Sequence, residues 1–218
     1  MKTIIVAGKE FIFEEEDINY DNNFAITQSD AKEILELTDK LFKTIGLDFY
    51  LAYGTLLGAI RDKGLIPGDE DVDLFIRDES ILYNNLPYLY NNGLKLVRYR
   101  KGTTYSFRMN DKAYIDIYIL KCISFLPWGF YCYSLSDMVT PKKYFKNYTS
   151  VNFLGLDCKC PENPEDILEF WYGKTWRTPV RGHKFYYEVK SAYYLRRIVK
   201  PFIQKLIGWY HWRHLLRK

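Results

Sequence analysis

Four acids among five residues, Asp69, Glu70, Asp71 and Asp73, stand directly after Pro67-Gly68 and run into an apolar stretch. Carboxylates this close repel one another. The last two alternate with Val72, Leu74 and Ile76, the pattern of a strand with one buried face. Side chains alternate faces along a strand, so Asp71 and Asp73 project the same way, about 7 Å apart along the chain. Such a pair calls for a cation. Hard divalent ions take carboxylate oxygens, and Mg²⁺, with Mn²⁺ as its substitute, binds through one or two carboxylates plus substrate phosphates. Two ions roughly 3.5 to 4 Å apart stabilise both the attacking and the leaving oxygen of a phosphoryl displacement. A third acid from a neighbouring strand is then expected. Asp116 is the only charge in the β-branched run Ala113 to Leu120, where a solvated surface acid has no place.

A phosphate-binding element precedes the acids. Phe49, Leu51 and Tyr53 read as a strand that delivers the chain to Gly54-Thr55, where a short helical pattern begins and runs to Gly64. A helix start offers unpaired backbone N–H groups and a partial positive charge, and glycine lets a phosphate come close. Thr55 can also serve as the helix cap. Arg61 follows one and a half turns later, placed to reach a phosphate oxygen or to pair with Asp69 or Glu70.

Together these residues resemble the LicD family. The resemblance rests on Gly54-Thr55-Leu56-Leu57-Gly58-Ala59-Ile60-Arg61, on Ile66-Pro67 with the acids through Asp73, on Ile115-Asp116-Ile117, and on Tyr172-Gly173-Lys174-Thr175-Trp176 with Pro179. Asp62, Gly68 and Lys174 depart from the pattern usual in such families. The resemblance implies a nucleotidyltransferase fold, shared with fukutin-type ribitol-phosphate transferases. It also implies transfer of a phospho-alcohol such as phosphocholine from a CDP-alcohol donor to a hydroxyl of a glycan or glycolipid, as in lipopolysaccharide or capsule biosynthesis. Asp71, Asp73 and Asp116 would then hold the metal and carry catalysis, Asp116 completing the site or taking the acceptor proton, with Gly54, Thr55 and Arg61 on the donor. Three other readings stay open: a nucleotidyltransferase moving NMP from an NTP and a metal-dependent glycosyltransferase, which use similar acids, and a non-enzymatic membrane-bound scaffold, in which the acids do no chemistry. No nucleotide-binding βαβ pattern precedes the Asp-x-Asp, which speaks against the glycosyltransferase.

The remaining elements must position these groups. At 218 residues with 48% hydrophobic content the chain suits one substantial domain with a small appendage. Residues 3 to 13 read as a strand, followed by a solvated turn at Glu14 to Asp17. From a cap at Ser29, Ala31, Ile34, Leu35, Thr38, Leu41, Phe42 and Ile45 follow helical spacing to Gly46. A helix is expected from Asp78 to Asn91. Three strands follow, Leu94 to Arg100, Thr103 to Met109 and Ala113 to Lys121, as a hairpin meander that lays Asp116 beside Asp73. Arg108 points either into that cleft or to solvent. Residues 122 to 162 read as irregular, and Asn163-Pro164-Glu165-Asp166 starts a helix that ends at Tyr172-Gly173. Tyr172 and Trp176 stack on a base or pack beneath the site.

The fold class is therefore α+β: a nucleotidyltransferase-like mixed sheet flanked by helices over residues 1–183, with a basic helical extension over 184–218. That extension carries nine Lys or Arg against Glu188 alone, net +8, which leaves −4 on residues 1–183 of a chain at +4. Its basic face with Trp209 and Trp212 suits an anionic membrane surface; no nucleic-acid motif accompanies it. No secretory apolar segment and no ~18-residue uncharged run occurs, so a cytoplasmic protein, at the inner face of the membrane, is expected. The spacing of Cys122, Cys132, Cys158 and Cys160 does not match zinc ligation, and reduced thiols are expected.

Overall fold

The alternation through Val72, Leu74 and Ile76 forms an inner strand of the main sheet in the computed structural model, which describes residues 1–16, 25–111, 113–123, 130–133 and 139–179. In chain order the strands are β1 (Lys2–Val6), β2 (Lys9–Phe13), β3 (Phe49–Leu51), β4 (Val72–Ile76), β5 (Lys95–Arg100), β6 (Thr104–Arg108), β7 (Tyr114–Ile123), β8 (Phe130–Tyr133), β9 (Val139–Pro141), β10 (Tyr148–Phe153) and β11 (Leu156–Pro161). The helices are α1 (Gln28–Ile45), α2 (Tyr53–Leu57), α3 (Glu79–Asn84), α4 (Leu86–Asn91) and α5 (Pro164–Tyr172). Seven strands make one mixed sheet in the order β3-β4-β7-β6-β5, with β8 paired to the end of β7 and β9 to β8. β4 and β7 run parallel; the other pairings are antiparallel. The expected mixed α+β sheet is thus present.

Parallel strands are buried on both faces and read as nearly continuous apolar runs. Val72, Leu74, Ile76, Ile115, Ile117 and Ile119 are at most 1% exposed. Along that sealed interior the only departures on the opposite face of β4 and the start of β7 are Asp73 and Asp116. α1 packs against β7 through the stripe expected of it, burying Ala31, Ile34, Leu35, Thr38, Leu41 and Phe42. Its cap is Thr27 rather than Ser29: the Thr27 hydroxyl accepts the Asp30 N–H at 3.1 Å, and Gly46, in the left-handed region, ends the helix.

Three expectations change. Residues 3 to 13 are a hairpin, turned at Ala7-Gly8 where both φ angles are positive. The helix from Asp78 to Asn91 is two helices, broken at Asn85 because Pro87 supplies no amide to continue the first. Within 122 to 162, β10 and β11 form a second hairpin whose turn is Leu154-Gly155; an apolar residue at φ +54 gives no turn signal in a sequence. The helix begun at Asn163 is present as α5. Among the described residues no helix is long and apolar enough to cross a membrane. The basic extension from 184 lies outside the described residues, as do the side chains of Cys122 and Cys132.

Candidate metal centre

The parallel pairing sets Asp73 directly opposite Asp116, and Asp71 precedes β4 on the same side. One carboxylate oxygen from each of Asp71, Asp73 and Asp116 lies within 4.8 Å of the others. Asp116 is fully buried; Asp71 and Asp73 retain some exposure as whole residues, although their carboxyl groups are packed among other acids. Burial first, then repulsion from Asp73, Asp116, Asp69 and Glu70, holds the Asp71 carboxyl well above the usual carboxylate range. Asp73 is raised by burial and by Asp69 and Asp116, while hydrogen bonds from the Tyr118 hydroxyl and the Gly54 N–H pull the other way. Three oxygen donors that repel each other in a desolvated place fit a hard divalent cation, which takes carboxylate oxygens and removes the repulsion.

The segment before β4 is shaped around Asp73. The Thr55 hydroxyl, 1% exposed, accepts the Asp73 N–H at 2.7 Å, and the Ala52 N–H donates to the Asp73 carbonyl at 3.0 Å. Gly54 lies so close that a Cβ there would sit 3.2 Å from an Asp69 oxygen and 3.6 Å from an Asp73 oxygen. Gly54 and Thr55 thus first serve to clamp Asp73. Thr55 does not cap α2, whose cap position is Ala52. Tyr53 holds φ +33, a conformation that costs about 1–3 kcal/mol for a bulky residue. Phe75, Tyr118 and Trp171 pack around its ring at centroid distances of 5.0, 5.1 and 5.3 Å. That cage keeps Tyr53 in place and floors the acids with aromatic surface.

Thr55→Val keeps the shape and removes the acceptor. A buried amide left unsatisfied costs about 1–3 kcal/mol, so the heat-denaturation midpoint should fall by several degrees, on the order of 2–4 °C per kcal/mol in a chain of this size. Thr55→Ser should restore it. Equal midpoints for Thr55→Val and the wild type would remove Thr55 from this role.

Arg61 does not pair with Asp69 or Glu70. It lies on a π-helical turn, Gly58–Asp62, after which the chain folds back so closely that a Cβ on Gly58 would collide with the Gly64 carbonyl oxygen. There its Nε and a terminal nitrogen bond Asp62 at 2.7 to 3.1 Å, and its other terminal nitrogen reaches the Trp176 carbonyl at 3.5 Å. Arg61 therefore joins two of the sequence blocks, Gly54–Arg61 and Tyr172–Trp176. Tyr172 and Trp176 are buried, so they pack rather than stack on a base. Arg108 also turns from the site, paired with Glu16 and lying over the Tyr114 ring. Glu16 is accordingly part of the fold, its N–H donated to the Val97 carbonyl. Burial pushes the Cys158 thiol up to about 12 and the Cys160 thiol up to about 11, so both stay protonated in the metal-free protein.

The basic residue that does enter the site is Arg98. The pairing of β5 with β6 runs Lys95 to Arg108 and Leu96 to Phe107, then skips Val97 and sets Arg98 opposite Ser106. Ser106 in turn pairs with Asp116. Arg98, Ser106, Asp116 and Asp73 form one row across four strands. Without that bulge Val97 would occupy the place of Arg98.

The profile of a family described as LicD/FKTN/FKRP, nucleotidyltransferase domain, matches residues 46–163, a span that holds all three aspartates. The chain belongs to this family. Ribitol-5-phosphate transferase FKTN of Mus musculus is 29% identical over 160 residues, covering 69% of this chain and 34% of the relative. The Homo sapiens protein of the same name is 28% identical with the same coverage. An uncharacterized protein, RP689, of Rickettsia prowazekii (strain Madrid E) is 31% identical over 90 residues, 40% of this chain and 32% of the relative. The LicD-family chain thus spans about a third of the length of these curated relatives. Among solved structures, the antibiotic-resistance factor ANT(2'')-Ia superposes with a TM-score of 0.50 at 12% identity, covering 85% of this chain and 99% of that one. That likeness concerns the fold alone. The Tyr172–Trp176 block lies beyond the matched span, tied to it through Arg61.

Proposed function

We propose that this LicD-family domain transfers a phospho-alcohol from a CDP-alcohol to a hydroxyl of a glycan or glycolipid. The convergence of Asp71, Asp73 and Asp116 on one spot carries the proposal, and the activity for which the fukutin relatives are named, ribitol-5-phosphate transfer, supports its class. Asp71 and Asp73 would hold Mg²⁺ or Mn²⁺, and Asp116 would complete the set. The bound cation would supply charge neutralisation and orientation for the donor phosphates.

The chain's own residues do the rest. Gly54 and Thr55 act on the donor through Asp73, fixing its carboxylate and its backbone together. Phosphoryl transfer asks the protein mainly for positioning and electrostatics, so a carboxylate whose rotamer is set before substrate arrives lowers the reorganisation needed. Phe75 and Tyr118 lie two residues along their strands from Asp73 and Asp116 and so on the same face, and they pack with Tyr53, which also packs on Trp171, so that aromatic surface adjoins the acids. Asp116 already accepts from Arg98 and Ser106. Held in that orientation by Arg98 and Ser106, Asp116 would serve as a ligand to the cation.

The test is product identity. The full chain with Mg²⁺ is incubated with CDP-choline, CDP-glycerol or CDP-ribitol and a glycan acceptor, and CMP release and heat-denaturation shifts are measured. Release of CMP dependent on Mg²⁺ and acceptor is expected from one of the three. Pyrophosphate release from CTP, with CMP from none, would replace this reading by NMP transfer.

A further inference from the structure

Asp116 differs from the other two acids in already having a cation beside it. One terminal nitrogen of Arg98 lies 2.9 Å from Asp116 Oδ2 and 3.3 Å from Oδ1, and its Nε donates to Ser106 Oγ at 3.0 Å. The Ser106 hydroxyl donates to Asp116 Oδ1, and the Tyr118 hydroxyl, 3.3 Å from Oδ2, shares its one proton between Asp116 and Asp73. The Arg98 side chain is 11% exposed and Asp116 wholly buried. Both oxygens of Asp116 are thus held from the Arg98 side, while one of them still faces Asp71 and Asp73.

On charge alone, Arg98 works against the site, because a guanidinium beside a cation site repels the cation. Two effects therefore compete. The positive charge weakens binding; the fixed orientation of a ligand strengthens it, since groups that hold metal ligands in place are typically worth 10–100-fold in metal affinity. With all groups ionised, the three ligand carboxylates and one guanidinium leave two formal negative charges, to which Asp69 and Glu70 nearby add, so the site stays negative with Arg98 in place. The bulge at Val97 is what brings Arg98 into the row, at the cost of a regular ladder.

We propose that Arg98, braced by Ser106, is a positioning residue: it sets the Asp116 carboxylate for the divalent cation, and this geometric gain exceeds the repulsion its charge exerts. The inference rests on the reading of Asp116 as a cation ligand. It does not depend on which phospho-alcohol is transferred.

The full-length chain and its variants are titrated with Mn²⁺ in the absence of nucleotide, following bound metal by electron paramagnetic resonance. Arg98→Lys keeps the charge and loses the planar fork, and Mn²⁺ should bind about tenfold or more weakly. Arg98→Gln removes the charge, so electrostatics alone would tighten binding; positioning requires that it weaken. Ser106→Ala leaves every charge in place and should weaken binding several-fold. Circular dichroism monitors folding. Should both Arg98 variants fail to fold, Ser106→Ala decides. Unchanged Mn²⁺ affinity in Arg98→Lys, tighter binding in Arg98→Gln, or unchanged affinity in Ser106→Ala if it alone folds, each overturns the inference while leaving phospho-alcohol transfer standing. Wild-type Mn²⁺ binding with no turnover of any CDP-alcohol would do the reverse. Absence of Mn²⁺ binding by the wild type would end both.

Discussion

Asp71→Asn and Asp73→Asn should each lower transfer by roughly a thousandfold or more, yet raise the heat-denaturation midpoint of the metal-free protein. The loss follows from removing a group that meets developing charge, where single interactions are worth about 10²–10³ even for a neutral donor. The gain follows from the same crowding that makes the site: each carboxylate is desolvated and faces other acids, so an amide of the same shape relieves repulsion. Asp116→Asn should behave in the opposite way on stability. It leaves Arg98 buried without its carboxylate, and breaking a buried pair from one side costs about 3–5 kcal/mol. Circular dichroism melts beside turnover assays give the comparison. Near-wild-type turnover with Mg²⁺ in both Asp71→Asn and Asp73→Asn would defeat the mechanism.

The metal-free protein should lose stability, relative to Asp71→Asn, as the pH rises from about 4 to 8. In the unfolded chain an aspartate titrates near 3.9. In the folded protein Asp71 and Asp73 hold their protons to higher pH. Between those points the unfolded state has released protons that the folded state keeps, so raising the pH favours unfolding. Other groups have opposite sign: hydrogen bonds from Ser80 and Ile81 lower Asp78, whose contribution is lost as the pH falls. The difference between the wild type and Asp71→Asn isolates the site. Mg²⁺ at a hundredfold over its dissociation constant should return about 2.7 kcal/mol, or ~5–10 °C, at pH 8 and much less at pH 5, where protons compete for the same oxygens. A difference between the two proteins that stays flat with pH would show that the acids are not strained against each other.

How much of this was legible beforehand depended on whether the signal was local. An acid alone in a β-branched run has few explanations, so Asp116 stood out, and the meander that carries it announced itself through turn residues. The grip on Asp73 is not legible in the sequence, because Gly54 and Thr55 suit a phosphate as well as they suit a carboxylate, and only tertiary distance shows that they lie against Asp73. Arg98 was invisible for a different reason. Its face depends on one extra residue at Val97, and a period-two pattern cannot say where a ladder slips. Arg61 was drawn to its own neighbour Asp62 by a widened helical turn that spacing rules for an ordinary helix do not contain.

The parallel pairing of β4 with β7 has a kinetic side. The meander from β5 to β7 closes through short turns, whereas β4 can join β7 only after the intervening chain has been looped back, a slow, non-local event. Until that seam closes, Asp73 and Asp116 belong to separate pieces, and a half-folded chain has no cation cage to offer. Metal should therefore lengthen the lifetime of the finished protein without hastening its formation; faster refolding in Mg²⁺ would contradict this order of assembly.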